Sequence, residues 1–158
     1  MTKLNTGIFV AALLSISSVA FASDRAVVEA FYSELLSKPN AADMPEQAAK
    51  VLVEEWVSIP TPRGGAGREG FVNTLRGFGA SVPDLKWEPQ EILRDGNRYI
   101  VRGKATGTPV KPMFGVQPSG KSFEVMSIDI HTVESGRIVQ SYHVEEWLKA
   151  VHQLKPKK

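Results

Sequence analysis

Two short turn sequences limit this chain more than anything else in it. Asp95-Gly96-Asn97 separates the alternating runs Leu85–Arg94 and Arg98–Thr108, and Glu134-Ser135-Gly136 separates Ser122–Val133 from Arg137–Val144. Gly- and Asn-bearing turns between runs of period two are hairpin signals, so the C-terminal half reads as consecutive antiparallel pairs. The N-terminal half has the other period. Asp24 can cap a helix to about Ser37 with Val28, Phe31 and Leu35 on one face, and Pro39-Asn40 ends it. Pro45 suits the first turn of a second helix to about Leu52, and Val53–Ile59 reads as a short strand. Pro60-Thr61-Pro62 and Gly64-Gly65 make a loop before a third helix, Arg68 to Ala80, striped by Phe71, Leu75 and Phe78. A loop covers Pro109–Gly120, and Glu145–Leu154 reads as a terminal helix containing Trp147 and Val151. Helices followed by hairpins predict an α+β domain with an antiparallel sheet covered on one face.

At 158 residues, with 42% hydrophobic and 23% charged residues, the chain suits one globular domain. Its first 22 residues read as an address. Lys3 precedes the apolar stretch Ile8–Val19, and Ala20-Phe21-Ala22 offers small residues at both positions a signal peptidase reads. The apolar stretch is shorter than the roughly 20 residues a spanning helix needs. Residues 1–22 are expected to be a signal peptide and 23–158 the domain, periplasmic or secreted, with no stable membrane anchor after cleavage. Nineteen basic against seventeen acidic residues give a formal charge of +2, without the basic patch that nucleic-acid binding requires. The lack of cysteine excludes disulfides, thiolate metal sites and cysteine nucleophiles.

Two literal nucleotide motifs do not fit their surroundings. Gly65-Ala66-Gly67-Arg68-Glu69-Gly70 matches GxGxxG, but hairpins follow instead of the βαβ unit that dinucleotide binding needs. Gly115–Ser122 matches GxxxxGK[ST], yet a strand follows it where a phosphate loop needs a helix. Both read as ordinary loops.

Chemistry concentrates on the last hairpin. A three-residue loop at Glu134-Ser135-Gly136 would set Asp129 opposite Ser141. Ser127, Asp129, His131, Ser141 and His143 would then share one face, and Ile128, Ile130, Ile138, Tyr142 and Val144 the other. Asp129 and His143 would be diagonal neighbours within hydrogen-bond reach, a general acid/base pair with His143 as base and Asp129 as its orienting partner. Such a polar face could equally point to water. Asp129, His131, His143 and Glu145 are the available metal ligands, but their spacing is not distinctive, so no metal is expected. His152, on the terminal helix, reads as a surface residue. Tyr32, Trp56, Phe114 and Tyr142 are candidate pocket or core residues, His131 a candidate substrate contact in the same pocket, and Arg102 a candidate oxyanion binder.

Several segments taken in order carry a family resemblance. They are Gly67-Arg68-Glu69-Gly70-Phe71, Val82-Pro83-Asp84-Leu85, Thr106-Gly107-Thr108, Phe114–Lys121, Ile128-Asp129-Ile130 and Glu134–Val139. From about Val27 to Leu154 the chain resembles the SnoaL-like polyketide cyclases, or ester cyclases, of the nuclear-transport-factor-2-like superfamily. The resemblance implies a cone-shaped fold: a curved antiparallel sheet packed with N-terminal helices around an apolar pocket. It also implies a small-molecule ligand, no cofactor, frequent homodimers, and ring closure driven by an aspartate on the last strand with a histidine on the preceding one. The family's last strand commonly reads His-Trp-Asp where this chain has Ser141-Tyr142-His143, while Asp129 stands near the partner histidine's position. Either the pair is kept with its members exchanged or the cyclase chemistry is lost. The expected activity is cofactor-independent acid/base chemistry on a small apolar carbonyl or ester compound. The alternative is an exported binding protein that uses the same pocket without turnover.

Overall fold

The computed structural model describes residues 24–156, so the expected signal peptide lies outside the described residues. Helix α1 is α-helical over residues 24–30 and continues as a π-helical segment, Phe31–Leu36. Then follow α2 (Met44–Val51), β1 (Leu52–Ile59), α3 (Gly67–Ser81), β2 (Lys86–Asp95), β3 (Arg98–Gly107), β4 (Phe123–Glu134), β5 (Arg137–Glu145) and α4 (Trp147–Leu154). The strands form one curved, unclosed sheet in the order β1-β5-β4-β3-β2. The α+β class and the helix-covered curved sheet agree with the sequence reading. One strand departs from it, since β1 pairs with β5 in parallel. Helix α3 follows β1, and the chain re-enters the sheet at the opposite edge, so no hairpin constrains the direction of β1. No described helix is long and apolar enough to cross a membrane.

The core lies between the concave face of the sheet and the helices. Val28, Tyr32, Leu35 and Met44 from the helices are completely buried with Leu52, Val101 and Ile138 from the sheet. Phe31 stacks on Phe71 of α3 at 5.3 Å, joining two helices that the sequence separates by a helix and a strand. Offset aromatic stacking of this kind adds to the area it buries.

Both nucleotide-like segments have structural roles. Gly70 begins the buried side of α3, where any Cβ would collide with the backbone of Gly65, so the loop ahead of the helix can lie against it. Ser119 Oγ donates to the Leu154 carbonyl at 3.3 Å and Lys121 Nζ to the Lys155 carbonyl at 2.6 Å. These two residues thus satisfy carbonyls at the C-terminus of α4, the end a helix leaves unpaired. They tie the 109–120 loop to that helix.

Between β4 and β5 the connection is tighter than the expected three-residue loop. Glu134 pairs with Arg137 across Ser135 and Gly136, which have φ of 50° and 72° as a two-residue type I′ turn requires. Beyond Val133, paired with Ile138, the register shifts so that Thr132 meets Gln140, leaving Val139 as a bulge. Asp129 therefore lies directly opposite His143, not diagonal to it, and His131 lies opposite Ser141. The bulge also corrects the facing of Ile138, which is fully buried on the inner side and not on the outer one.

Candidate functional site

The concave face encloses a cavity of about 470 Å³. Its walls are mostly aromatic. Phe31, Trp56 and Phe71 form one side, with Trp56 and Phe71 5.0 Å apart. Phe78, Trp87 and Phe114 form the other around Trp147 of α4, at centroid distances of 5.6, 6.3 and 5.4 Å from its ring. Pro60, Thr61, Pro62 and Arg63 also line it, from the β1–α3 loop.

The polar groups come from β4 and β5. Asp129, His131, Ser141, His143 and Glu145 all line the cavity. Alternation along both strands turns them the same way, as the sequence indicated, and the Val139 bulge keeps β5 in phase with β4. Asp129 is 4% exposed and His131 and Ser141 at most 1%, so this face is the floor of a pocket and does not point to water.

His143 is held differently from the sequence reading. Its Nδ1 lies 2.8 Å from Glu145 Oε1, and its Nε2 lies 3.2 Å from the Pro60 carbonyl. Glu145, not Asp129, is the hydrogen-bonded partner that orients the imidazole. Both ring nitrogens face oxygens that can only accept, an arrangement that a doubly protonated imidazolium satisfies. The Glu145 contact accordingly raises the His143 pKa above its ordinary value, against the opposing effect of burial, and the charge of Asp129 adds to the rise. Glu145 also accepts from Trp147 Nε1 at 3.0 Å, which couples the aromatic wall to the histidine.

Asp129 has another set of partners. Tyr32 Oη and Ser127 Oγ both donate to its Oδ2 at 3.0 Å, and no hydrogen bond reaches Oδ1 from the described residues. Burial dominates its ionisation, raising the pKa from 3.8 to about 6 despite those two donors. Gly103 matters here. It lies opposite Ser127 on β3, and a Cβ would come within 2.6 Å of the Ser127 hydroxyl. His131, sealed completely, has its pKa lowered to about 3 by burial and stays neutral at physiological pH.

Of the expected pocket residues, Trp56, Phe114 and His131 line the cavity. Tyr32 does not form a wall but lies beneath the floor, bonded to Asp129 and to His131. Tyr142 and Arg102 belong to the opposite face of the sheet. Tyr142 is 39% exposed opposite Ile130, and Arg102 Nε pairs with Glu91 at 3.4 Å opposite Ile128. Strand alternation excludes both from the cavity, so Arg102 cannot bind an oxyanion there. His152 is exposed, as expected. Sequence alone does not place Phe31, Phe71, Phe78, Trp87 and Trp147 at a site, although helical spacing puts Phe31 on one apolar stripe and Phe71 and Phe78 on another. Among the described residues no three His, Cys, Asp or Glu side chains come together as a metal would require. The indole N–H of Trp87 is buried without an acceptor among the described residues.

Comparison with known proteins gives this arrangement a context. Residues 26–154 match the family model described as SnoaL-like polyketide cyclase. Among solved structures, TsrD from Streptomyces laurentii is 26% identical, over 84% of this chain and 95% of its own, with a TM-score of 0.73. IdmH from Streptomyces antibioticus, a candidate polyketide cyclase, is 23% identical over 83% of this chain and 97% of its own, with a TM-score of 0.71. A candidate SnoaL-like polyketide cyclase from Jannaschia sp. CCS1 shares the fold at a TM-score of 0.72 and 16% identity, over 87% of this chain and 94% of its own. No curated protein sequence matches the chain.

Proposed function

Because the chain belongs to the SnoaL-like polyketide cyclase family, we propose that it is a cofactor-independent acid/base catalyst acting on a small, largely apolar carbonyl or ester compound. Asp129 and His143 do the chemistry with roles opposite to those the sequence suggested. Asp129 Oδ1, without a hydrogen bond and belonging to a carboxyl group with a pKa of about 6, takes a proton from the carbon beside the substrate carbonyl. The C–H electrons move into a new carbon–carbon double bond, and charge develops on the carbonyl oxygen. The His143 imidazolium releases the Pro60 carbonyl and donates its Nε2 proton to that oxygen, while Glu145 stabilises the cation. The resulting enol can attack a second carbonyl of the same substrate and close a ring. One observation carries the reading: a carboxylate oxygen without a partner faces an aromatic cavity, directly across the strands from a histidine set up as an acid.

The test is solvent-deuterium exchange at the activated methylene of a panel of aromatic β-keto esters, followed by NMR. Exchange above buffer that disappears in Asp129→Asn supports the assignment, whereas equal exchange in that variant removes Asp129 as the base. The alternative, a pocket that binds without turnover, is favoured by the Pro60 carbonyl occupying His143 Nε2. Saturable binding of panel members with no exchange would establish it.

Two further elements belong to the same proposal. The Lys3, Ile8–Val19 and Ala20-Phe21-Ala22 pattern supports export, hence action in the periplasm or outside the cell. The convex side of the sheet, with Val57, Ile59, Met126, Tyr142 and Val144 exposed, supports a homodimer formed on that face.

A further inference from the structure

Beneath the cavity floor, the hydrogen bonds to Asp129 continue into a chain with a definite direction. Trp56 Nε1, which can only donate, gives its proton to Ser141 Oγ at 3.1 Å. Ser141 Oγ lies 2.7 Å from His131 Nδ1, and His131 Nε2 lies 2.9 Å from Tyr32 Oη. Tyr32 donates its single proton to Asp129 Oδ2. Its oxygen must therefore accept from His131, which places the imidazole proton on Nε2. Nδ1 is then bare and accepts from Ser141, leaving the Ser141 oxygen to accept from Trp56. Every proton in this order has one acceptor.

The opposite order fails at its far end. A proton on Asp129 Oδ2 directed at Ser127 would turn that buried hydroxyl's own proton away from Oδ2, its acceptor in the structure. Directed at Tyr32, it would send the Tyr32 proton to His131 Nε2 and put the imidazole proton on Nδ1, facing Ser141. The Ser141 oxygen would then receive two donors, and its own proton would have no acceptor among the described residues. The indole cannot turn round to relieve it. Leaving a buried donor unmatched is the costly side of hydrogen bonding.

We propose that Trp56, Ser141, His131 and Tyr32 form a one-way hydrogen-bond chain that keeps Asp129 Oδ2 unprotonated and confines the exchangeable proton to Oδ1, the oxygen left free for the pocket. Tyr32 and His131 are positioning residues in this scheme. The other groups around Asp129 are Ser127 on its own strand, His143 and Glu145 on β5, and Val101 opposite on β3. Of these, His143 favours the ionised carboxylate and Glu145 opposes it. Burial keeps the Tyr32 phenol protonated and His131 neutral, so both retain the forms the chain requires. The π-helical stretch of α1 contributes by carrying Tyr32 to residues almost a hundred positions away.

The inference deepens the reading of Asp129 as base, but its test does not depend on activity. Long-range ¹H–¹⁵N NMR of the ligand-free protein between pH 5 and 8 reads the His131 tautomer, and ¹³C-carboxyl NMR reads the Asp129 titration. The expected results are an unvarying Nε2–H tautomer and, in Tyr32→Phe, an Asp129 titration displaced upward by about one pH unit. His131→Gln can donate to Tyr32 and accept from Ser141, so it holds the titration within a few tenths of a unit, whereas His131→Leu raises it. That pair decides the matter if Tyr32→Phe does not fold. An Nδ1–H tautomer in the parent protein, or titration midpoints that Tyr32→Phe or His131→Leu leaves unmoved, overturns the chain. If the chain holds while Asp129→Asn retains full exchange, the chain stands and the assignment of Asp129 as base falls.

Discussion

The two faces of the β4–β5 hairpin reverse the usual arrangement. Along the inner face run Ser127, Asp129, His131, Ser141, His143 and Glu145, all buried or half-buried. Along the outer face run Met126, Ile128, Ile130, Tyr142 and Val144, with Val144 63% exposed. A hairpin with one wet face normally places its apolar residues inward. Here the polar set is enclosed and satisfied by bonds from α1, β1 and the β1–α3 loop. The apolar set is left for the outside. The enclosure separates the two faces more than their composition does: the same carboxylate on the convex side would have an ordinary pKa and no task.

The strongest way to break the contrast is to insert one alanine between Val139 and Gln140. With a single-residue bulge kept, the lengthened strand would place Tyr142 opposite Asp129, exchanging the two faces of β5 beyond that point. Complete loss of methylene exchange is expected, and retained activity would show that the register after the bulge does not set the facing. Next comes Asp129→Asn, expected to lower exchange by about 10²–10⁴-fold with the fold intact, as removal of a general base does. Phe31→Ala removes the ring that touches both Phe71 and His131, at 5.3 and 4.9 Å, and should cost roughly 3–5 kcal/mol in denaturant unfolding.

Acidity gives a subtler test. Asp129 is harder to ionise in the folded protein, so the folded state binds more protons than the unfolded chain between pH 3.8 and about 6. Stability from this group is present below pH 3.8, declines across that window and is level above it, by on the order of 2–3 kcal/mol. Asp129→Asn should remove that decline from a urea-unfolding series, and an unchanged slope would contradict the burial argument. Activity should rise on the acid side through pH 6 as Asp129 ionises. It should fall on the alkaline side above the ordinary histidine value, where His143 loses its proton. The smallest effect belongs to the outer face. Val144→Lys should change monomer stability by no more than about 0.5 kcal/mol while shifting the proposed homodimer toward monomer in sedimentation. A parent protein that sediments as a monomer would remove the proposed dimer, and a dimer that the substitution leaves unaltered would place the interface elsewhere.

How much of this was legible in the sequence follows from how local each cause is. Period-two alternation was enough to group Asp129, His131, Ser141 and His143, since facing within a strand needs no knowledge of the rest of the chain. The Val139 bulge was not legible, because it comes from the mismatch between a two-residue turn and the buried side chain of Ile138. Glu145 was seen only as a possible metal ligand. It stands where the strand pattern stops and a helix was expected, and only its contact with His143 gives it a part. The chemistry of Tyr142 and Arg102 suggests a pocket, but strand alternation puts both outside. The parallel pairing of β1 is non-local and has no turn to announce it.

The tie between the 109–120 loop and α4 makes two parts of the cavity wall a single body. Phe114 belongs to that loop and Trp147 to that helix, their rings 5.4 Å apart, while Ser119 and Lys121 hold the carbonyls of Leu154 and Lys155 at the helix's far end. A ligand that pushes on Trp147 therefore pushes on the loop as well, and a fastening made at the surface stiffens a wall it does not touch.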